Sequence, residues 1–139
     1  MPDPTAAPST AVEVPPDADP AIRTIAMPAD TNHYGHIFGG WLMSQMDLAG
    51  GMHAIQRARG RVSTVAVEAM EFHKPVFVGD EVSCYSDVVR LGRTSLAVRV
   101  EAWVRRHDIN HDQFRVTSAI FTYVAVDEDG TKRPVPAED

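Results

Sequence analysis

The chain has 139 residues and a mass of 15.2 kDa. That is the length of one domain, and it excludes a two-domain enzyme, a large barrel or a long repeat array. Hydrophobic residues make up 44% and charged residues 23%, ordinary for a globular domain, and 13 basic against 19 acidic side chains give a formal charge of −6, which argues against nucleic acid or an anionic membrane as the main partner.

Residues 1–20 hold six of the ten prolines, four acidic residues and no Lys or Arg. Such a segment buries too little apolar surface to offset its ordering entropy, so a disordered tail is predicted there. The tail carries −4 of the −6, leaving 13 basic and 15 acidic side chains in the rest. The folded domain is expected over residues 21–136. No basic and apolar leader precedes Arg23, and no window approaches the ~20 apolar residues of a membrane span. The single cysteine, Cys84, allows no internal disulfide, so nothing calls for an oxidising compartment. The cytoplasm is the expected location.

The first strand is predicted over Ala21–Met27, stopped by Pro28, which biases Met27 towards an extended backbone. A polar loop follows, "PADTNHYGH". From Phe38 to Ala58 the pattern turns helical, with Trp41, Leu42, Met43, Met46, Leu48, Ala49, Met52, Ala54 and Ile55 spread over nearly every side. A helix apolar all round is a buried helix. Gly50–Gly51 in its middle costs about 1 kcal/mol per glycine against Ala. Either the helix ends early or another backbone packs closely there. Gly60 is the expected C-terminal cap.

Beyond Gly60 the apolar period falls to two. Strands are predicted over Val62–Phe72, Glu81–Leu91, Thr94–Arg105 and Phe114–Val126. "VGD" (78–80) and "LGRT" (91–94) read as tight turns of antiparallel hairpins. The expected fold class is α+β: a curved antiparallel sheet of about five strands wrapped round one long helix. Its open edge predicts pairing with a second subunit.

The string "DTNHYGHIFGGWLMSQMDLAGG" (30–51), with "RVSTVAVEAMEFHKPVFVGD" (61–80) and "GRTSLAVRVEAWV" (92–104), resembles the hotdog-fold acyl-CoA thioesterases of the bacterial YciA-like type. The likeness covers about Ile22–Pro136. It implies hydrolysis of acyl-CoA to CoA and a free acid, with no cofactor beyond the CoA of the substrate. It implies at least a homodimer, and a homohexamer built as a trimer of dimers. By the same resemblance Asp47 matches the family's acidic catalytic residue, Asn32 a loop residue that positions water or thioester, and Gly39 and Gly40 the pair that polarises the carbonyl. Tyr34 and His36 depart from the residues usual at the helix entrance, which bears on acyl-chain preference.

The residues bear their own reading. A helix N-terminus presents unpaired N–H groups and a partial positive charge, and Gly39–Gly40 would let a carbonyl oxygen approach them. The same glycines also fit a sharp loop-to-helix turn. A carboxylate among Met46 and Leu48 must be paired, hydrogen-bonded or locally exposed; as a functional group, Asp47 suits a general base on water or a nucleophile. Gly40 and Asp47 lie two turns apart, roughly 10 Å along the axis at 1.5 Å per residue, too far to act on one carbonyl. Two antiparallel helices would set Asp47 of one subunit against Asn32, Gly39 and Gly40 of the other.

Lys74, Arg90, Arg93, Thr94 and Ser95 are candidates for the phosphates of CoA, although a solvated hairpin explains the last four equally well. His33/His36 and His107/His111 have loose metal-like spacing without a third ligand, so no metal is expected. His53 and His73 read as core or interface residues, and Cys84 as core. A hotdog hydratase would take His53 as its histidine, and a non-catalytic acyl-CoA sensor is the alternative outside enzymology.

Overall fold

A computed structural model of the chain describes residues 14–138. Most of the predicted tail, residues 1–13, lies outside the described residues. Residues 14–20 carry no helix or strand. The elements are β1 (Ile22–Ile25), a 3-10 turn (Pro28–Asp30), α1 (Gly39–Ala58), β2 (Val62–Glu68), β3 (Glu81–Leu91), β4 (Ser95–Arg105) and β5 (Gln113–Ala125). The strands form one antiparallel sheet in the order β1-β3-β4-β5-β2.

The sheet curls round one side of α1, as the α+β reading requires. Inward residues of β4 (Leu96, Val98, Val100, Ala102, Val104) are buried against Leu42, Met46, Ala49 and Ala54 of the helix. Each fully buried Leu or Val contributes on the order of 1.5–3 kcal/mol. Burial alternates along β5 too, through Phe114, Val116, Ala119, Phe121 and Tyr123.

Several expectations are corrected. The strand predicted to reach Phe72 ends at Glu68. Ala69 has φ 51°, a left-handed backbone that breaks the extended run. His73 therefore lies in a loop, exposed in the single chain. The turn at 78–80 exists, with Asp80 N–H donating to Phe77 O at 3.1 Å, but it closes no hairpin between the strands on either side. β2 pairs with β5 at the far edge, so residues 69–80 carry the chain past two strands to β3. At the helix end, Arg59 and not Gly60 takes the left-handed capping position (φ 55°, ψ 44°).

The helix is buried on one side only. Leu48, Met52 and Ile55 are exposed, and their i, i+4, i+7 spacing makes one stripe. A single curved sheet covers about half of a helix circumference, and the apolar remainder faces away from it. The glycine pair also has a different cause from the one expected. A Cβ on Gly50 would stand 2.5 Å from Tyr123 Oη and 3.0 Å from Val100 Cγ2. Side chains of the sheet, and not a second backbone, need that space.

Candidate active site

The loop before α1 is tied by its own polar groups. Asp30 Oδ2 accepts the Met27 N–H at 3.1 Å, and Thr31 Oγ1 donates to Pro28 O at 2.8 Å. Asn32 Oδ1 accepts two N–H groups, from Tyr34 at 2.9 Å and His36 at 3.1 Å. The carbonyl end of Asn32 is thus engaged inside the loop, and its NH2 end is the one left for a ligand.

The helix that follows starts uncapped. Phe38 at the N-cap offers no side-chain acceptor, and the first turn holds no acidic residue. Among the described residues, no hydrogen bond engages the N–H groups of Gly39 or Gly40. A Cβ on Gly39 would meet Phe72 Cζ at 3.2 Å, whereas one on Gly40 would meet nothing within 4 Å. Packing within the chain explains the first glycine and not the second.

A cleft of 280 Å³ opens beside this turn, lined by Asn32, His36, Gly39, Leu42, Lys74 and Val116 among others. Its far wall is the 72–76 stretch, anchored by Ile37 N–H to Val76 O at 2.9 Å and His73 N–H to Val116 O at 3.0 Å. An ion pair between buried Asp80 and half-buried Arg106 holds the base of that wall. Arg106 Nε and Nη2 donate to the two oxygens of Asp80 at 3.1 and 3.0 Å, and Phe77 N–H adds a third donor at 2.9 Å. The Asp80 hydrogen bond and charge hold the Arg106 pKa above its ordinary value, against the opposing effect of burial.

Asp47 does not line this cleft. It lies half-buried two turns further along α1, bonded to residues of β2 and β5. Thr64 Oγ1 donates to Asp47 Oδ1 at 2.8 Å, and Tyr123 Oη reaches the same oxygen at 3.0 Å. Tyr123 Oη is also 3.0 Å from the Asp47 carbonyl oxygen. Thr64 and Tyr123 are register partners in the β2–β5 pair, and Val65 next to Thr64 is the extra residue of a bulge. Bulges of this kind re-aim a neighbouring side chain. Burial, first, and then the Asp47 charge and hydrogen bond raise the Tyr123 pKa, so the hydroxyl stays a donor.

The sequence-predicted residues therefore fall into separate groups within one chain. Asn32, Gly39 and Lys74 share the cleft; Gly40 adjoins it, and Asp47 stands apart. Lys74 Nζ sits 4.5 Å over the Phe114 ring. Arg90 lines a different groove with His53 and Arg57, near the end of α1. The carbonyls of Arg93 and Thr94 accept the N–H groups of Val135 and Ala125 at 2.9 and 2.8 Å, and that of Ser95 accepts Gly92 N–H at 2.8 Å. His53 Nδ1 is 3.0 Å from Ser86 Oγ, and His107 Nε2 3.2 Å from Glu81. Cys84 is buried, and burial pushes its thiol up to about 12. Thr64 and Tyr123 are absent from the sequence-predicted set. The one sequence signal for Tyr123 is a hydroxyl on the inward face of a strand, in a chain whose helix carries two central glycines.

The helix-in-sheet architecture and the uncapped helix start define the class to which known proteins can be compared. The thioesterase superfamily model matches residues 34–108, just over half of the chain. The acyl-CoA thioester hydrolase YciA of Escherichia coli is 50% identical over 125 residues, covering 88% of this chain and 95% of the relative. A hexameric broad specificity acyl-coenzyme A thioesterase superposes with a TM-score of 0.84 at 47% identity, covering 91% of this chain and 86% of the other. That enzyme has also been solved with one aspartate replaced by alanine. A hexameric hotdog fold thioesterase of Campylobacter jejuni gives a TM-score of 0.82 at 45% identity, covering 86% of this chain and 91% of the other. The chain belongs to the thioesterase superfamily, in its YciA-like branch. Among the described residues no helix is long and apolar enough to cross a membrane.

Proposed function

We propose that this protein is an acyl-CoA thioester hydrolase that releases CoA and a carboxylic acid. The observation that carries the reading is the pairing, on one helix, of an uncapped N-terminus with a hydrogen-bonded aspartate seven residues after Gly40. The names and activities of relatives near 50% identity support it. The chemistry follows from the groups available. Asp47 takes a proton from water as the water oxygen attacks the thioester carbonyl. The oxyanion meets the N–H groups of Gly39 and Gly40 at the positive end of the helix. The Asn32 NH2 orients the thioester or the water. The tetrahedral intermediate then expels the CoA thiolate, and Asp47 returns the proton to sulfur. Water and these groups suffice, so no separate cofactor is part of the proposal. Lys74 at the cleft suits a CoA phosphate, and Arg90, Arg93, Thr94 and Ser95 remain candidates only if a second chain brings their hairpin to the cleft.

Asp47 and the cleft do not meet in one chain, and the apolar stripe Leu48, Met52 and Ile55 is uncovered. Both facts support a dimer in which Asp47 of one protomer faces Asn32, Gly39 and Gly40 of its partner. The relatives described as hexamers extend the proposal to a hexamer of three dimers. The cytoplasm is the proposed location.

The test offers a panel of acyl-CoAs and follows thiol release by the wild type, by Asp47→Ala and by Asn32→Ala. Both variants should lose activity. Mixed and exchanged, the two inactive homodimers should regain part of it, because each heterodimer holds one intact site. No recovery rejects the shared site. Undiminished release by Asp47→Ala rejects the role of the aspartate. Single-turnover hydrolysis in heavy-oxygen water separates general base from nucleophile: label entering the Asp47 carboxylate indicates an anhydride.

A further inference from the structure

We infer that Tyr123 is a positioning residue for the hydrolysis, holding the Asp47 carboxylate so that Oδ1 is engaged and Oδ2 is presented to water. The inference deepens the reading above, since it rests on Asp47 being the base. Its geometry is independent of that reading. The Tyr123 hydroxyl and the Thr64 hydroxyl both reach Oδ1, at 3.0 and 2.8 Å. Among the described residues no donor is recorded on Oδ2. A carboxylate with one oxygen saturated and one open has a fixed rotamer and a single basic edge.

Two costs in the fold converge on this contact. Tyr123 is 1% exposed, and a phenylalanine would fill the same core without burying a hydroxyl. The hydroxyl reaches Asp47 only because residue 50 is glycine: a Cβ would stand 2.5 Å from it. A mid-helix glycine weakens the helix by about 1 kcal/mol relative to Ala. The Tyr123 ring packs in the core and Gly50 also makes room for Val100, but the buried hydroxyl itself adds nothing to packing, and its partner is Asp47.

The second acceptor of the hydroxyl has a use in the reaction. Tyr123 Oη is equidistant, at 3.0 Å, from Asp47 Oδ1 and from the Asp47 backbone carbonyl oxygen. A hydroxyl has one proton to donate. While Asp47 is charged, the proton serves Oδ1. When Asp47 has taken the proton of water, the carboxyl is a weaker acceptor and the hydroxyl turns to the carbonyl. No buried polar group is stranded in either state. Among the described residues Asp47 forms no salt bridge, and the titratable side chain bonded to it is Tyr123 of β5.

The experiment compares Tyr123→Phe, Gly50→Ala and Asp47→Ala in the full-length assembled protein, reading kcat, KM, the pH profile and the thermal midpoint. Tyr123→Phe should lower kcat about 10-fold, leave KM within about 2-fold, and move the acidic limb of the pH profile up by about 0.5–1 unit, because a donor to the charged carboxylate has gone. Gly50→Ala deletes no polar group but displaces the hydroxyl, and should move the limb in the same direction. It also serves if Tyr123→Phe does not fold. An unmoved limb in the folded variants, whether or not the thermal midpoint falls, means that Tyr123 only stabilises the core, and overturns the inference. Asp47→Ala separates the two levels. If it is inactive while the limb of Tyr123→Phe is unmoved, the base reading stands and the positioning role fails. If it is active, the base reading fails first.

Discussion

Thr64 and Tyr123 are register partners in the β2–β5 pair, and both hydroxyls reach the same oxygen of Asp47. Two strands that the sequence sets about 60 residues apart thus converge on a single helix position. Thr64→Val keeps the shape of the side chain and removes its donor. Thiol release should fall about 10-fold, the scale of one charge-assisted hydrogen bond of 1.5–3 kcal/mol partly lost, and Thr64→Ser should restore most of it. Combined with Tyr123→Phe, the loss should depart from additivity, since both donors serve Oδ1. Additive losses in a double-mutant cycle would show that they act separately.

Gly40 makes a sharper test of the helix start than Gly39. Nothing in its own chain lies within 4 Å of a Cβ placed there. Alanine in a helix is favoured over glycine by up to about 1 kcal/mol, so Gly40→Ala should melt no lower than the wild type. Its kcat should nevertheless fall about 10–100-fold, because the methyl group occupies the approach to the helix N–H groups. A melt and a thiol-release assay on the same sample decide it. Full activity in Gly40→Ala removes that N–H from the oxyanion site.

The Asp80–Arg106 pair predicts a stability effect. Arg106→Ala leaves a carboxylate that is 2% exposed without its bidentate partner. The carboxylate keeps the Phe77 N–H and Arg106 is only half-buried, so the expected destabilisation is about 1–3 kcal/mol. An apolar replacement of both partners should recover much of it. Because this pair anchors the 72–76 wall of the cleft, the variant should also show a raised KM. A thermal midpoint within a degree of the wild type would mean the pair contributes little.

The exposed stripe on α1 links assembly to activity. Met52→Glu places a charge on a face that the sheet does not cover. Sedimentation should show smaller species, circular dichroism should keep its helical signal, and thiol release should drop with the loss of assembly. An unchanged oligomer carrying Glu at position 52 would move the interface elsewhere.

Alkaline pH should weaken the fold by a defined route. Burial pushes the Cys84 thiol from its ordinary 9.0 up to about 12. A group with a raised folded pKa contributes stability that is complete below the unfolded pKa and lost as pH rises towards the folded value. The contribution of this group should therefore be constant below about pH 8 and decline between about 9 and 12, by up to about 1.4 kcal/mol per unit. Tyr123 adds to the same slope at the upper end. Denaturant midpoints for the wild type and Cys84→Ala over that range check the slope, which should be shallower in the variant.

The parts of the fold legible in the sequence are those fixed by local patterns. The strand at Glu81–Leu91 has the predicted bounds, and the helix starts one residue after the predicted Phe38 and ends at the predicted Ala58. Misreadings occur where a distant segment decides. β2 stops at Glu68 because Ala69 turns left-handed, although the apolar alternation continues through Met70 and Phe72. The turn at 78–80 suggests a hairpin, but β2 finds its partner in β5. Asp47 stands out in the sequence as a carboxylate in an apolar helix. Its donors do not, because Thr64 and Tyr123 resemble ordinary strand residues until the sheet register brings them to it.

The proposed reaction liberates a thiol at every turnover. A protein with an accessible cysteine would be open to mixed disulfides with oxidised forms of that product. Cys84, the single cysteine of the chain, lies on β3 and is buried in the core as a protonated thiol, and only a thiolate exchanges readily. The enzyme is therefore redox-inert towards its own product, and its turnover should be indifferent to the thiol–disulfide balance around it.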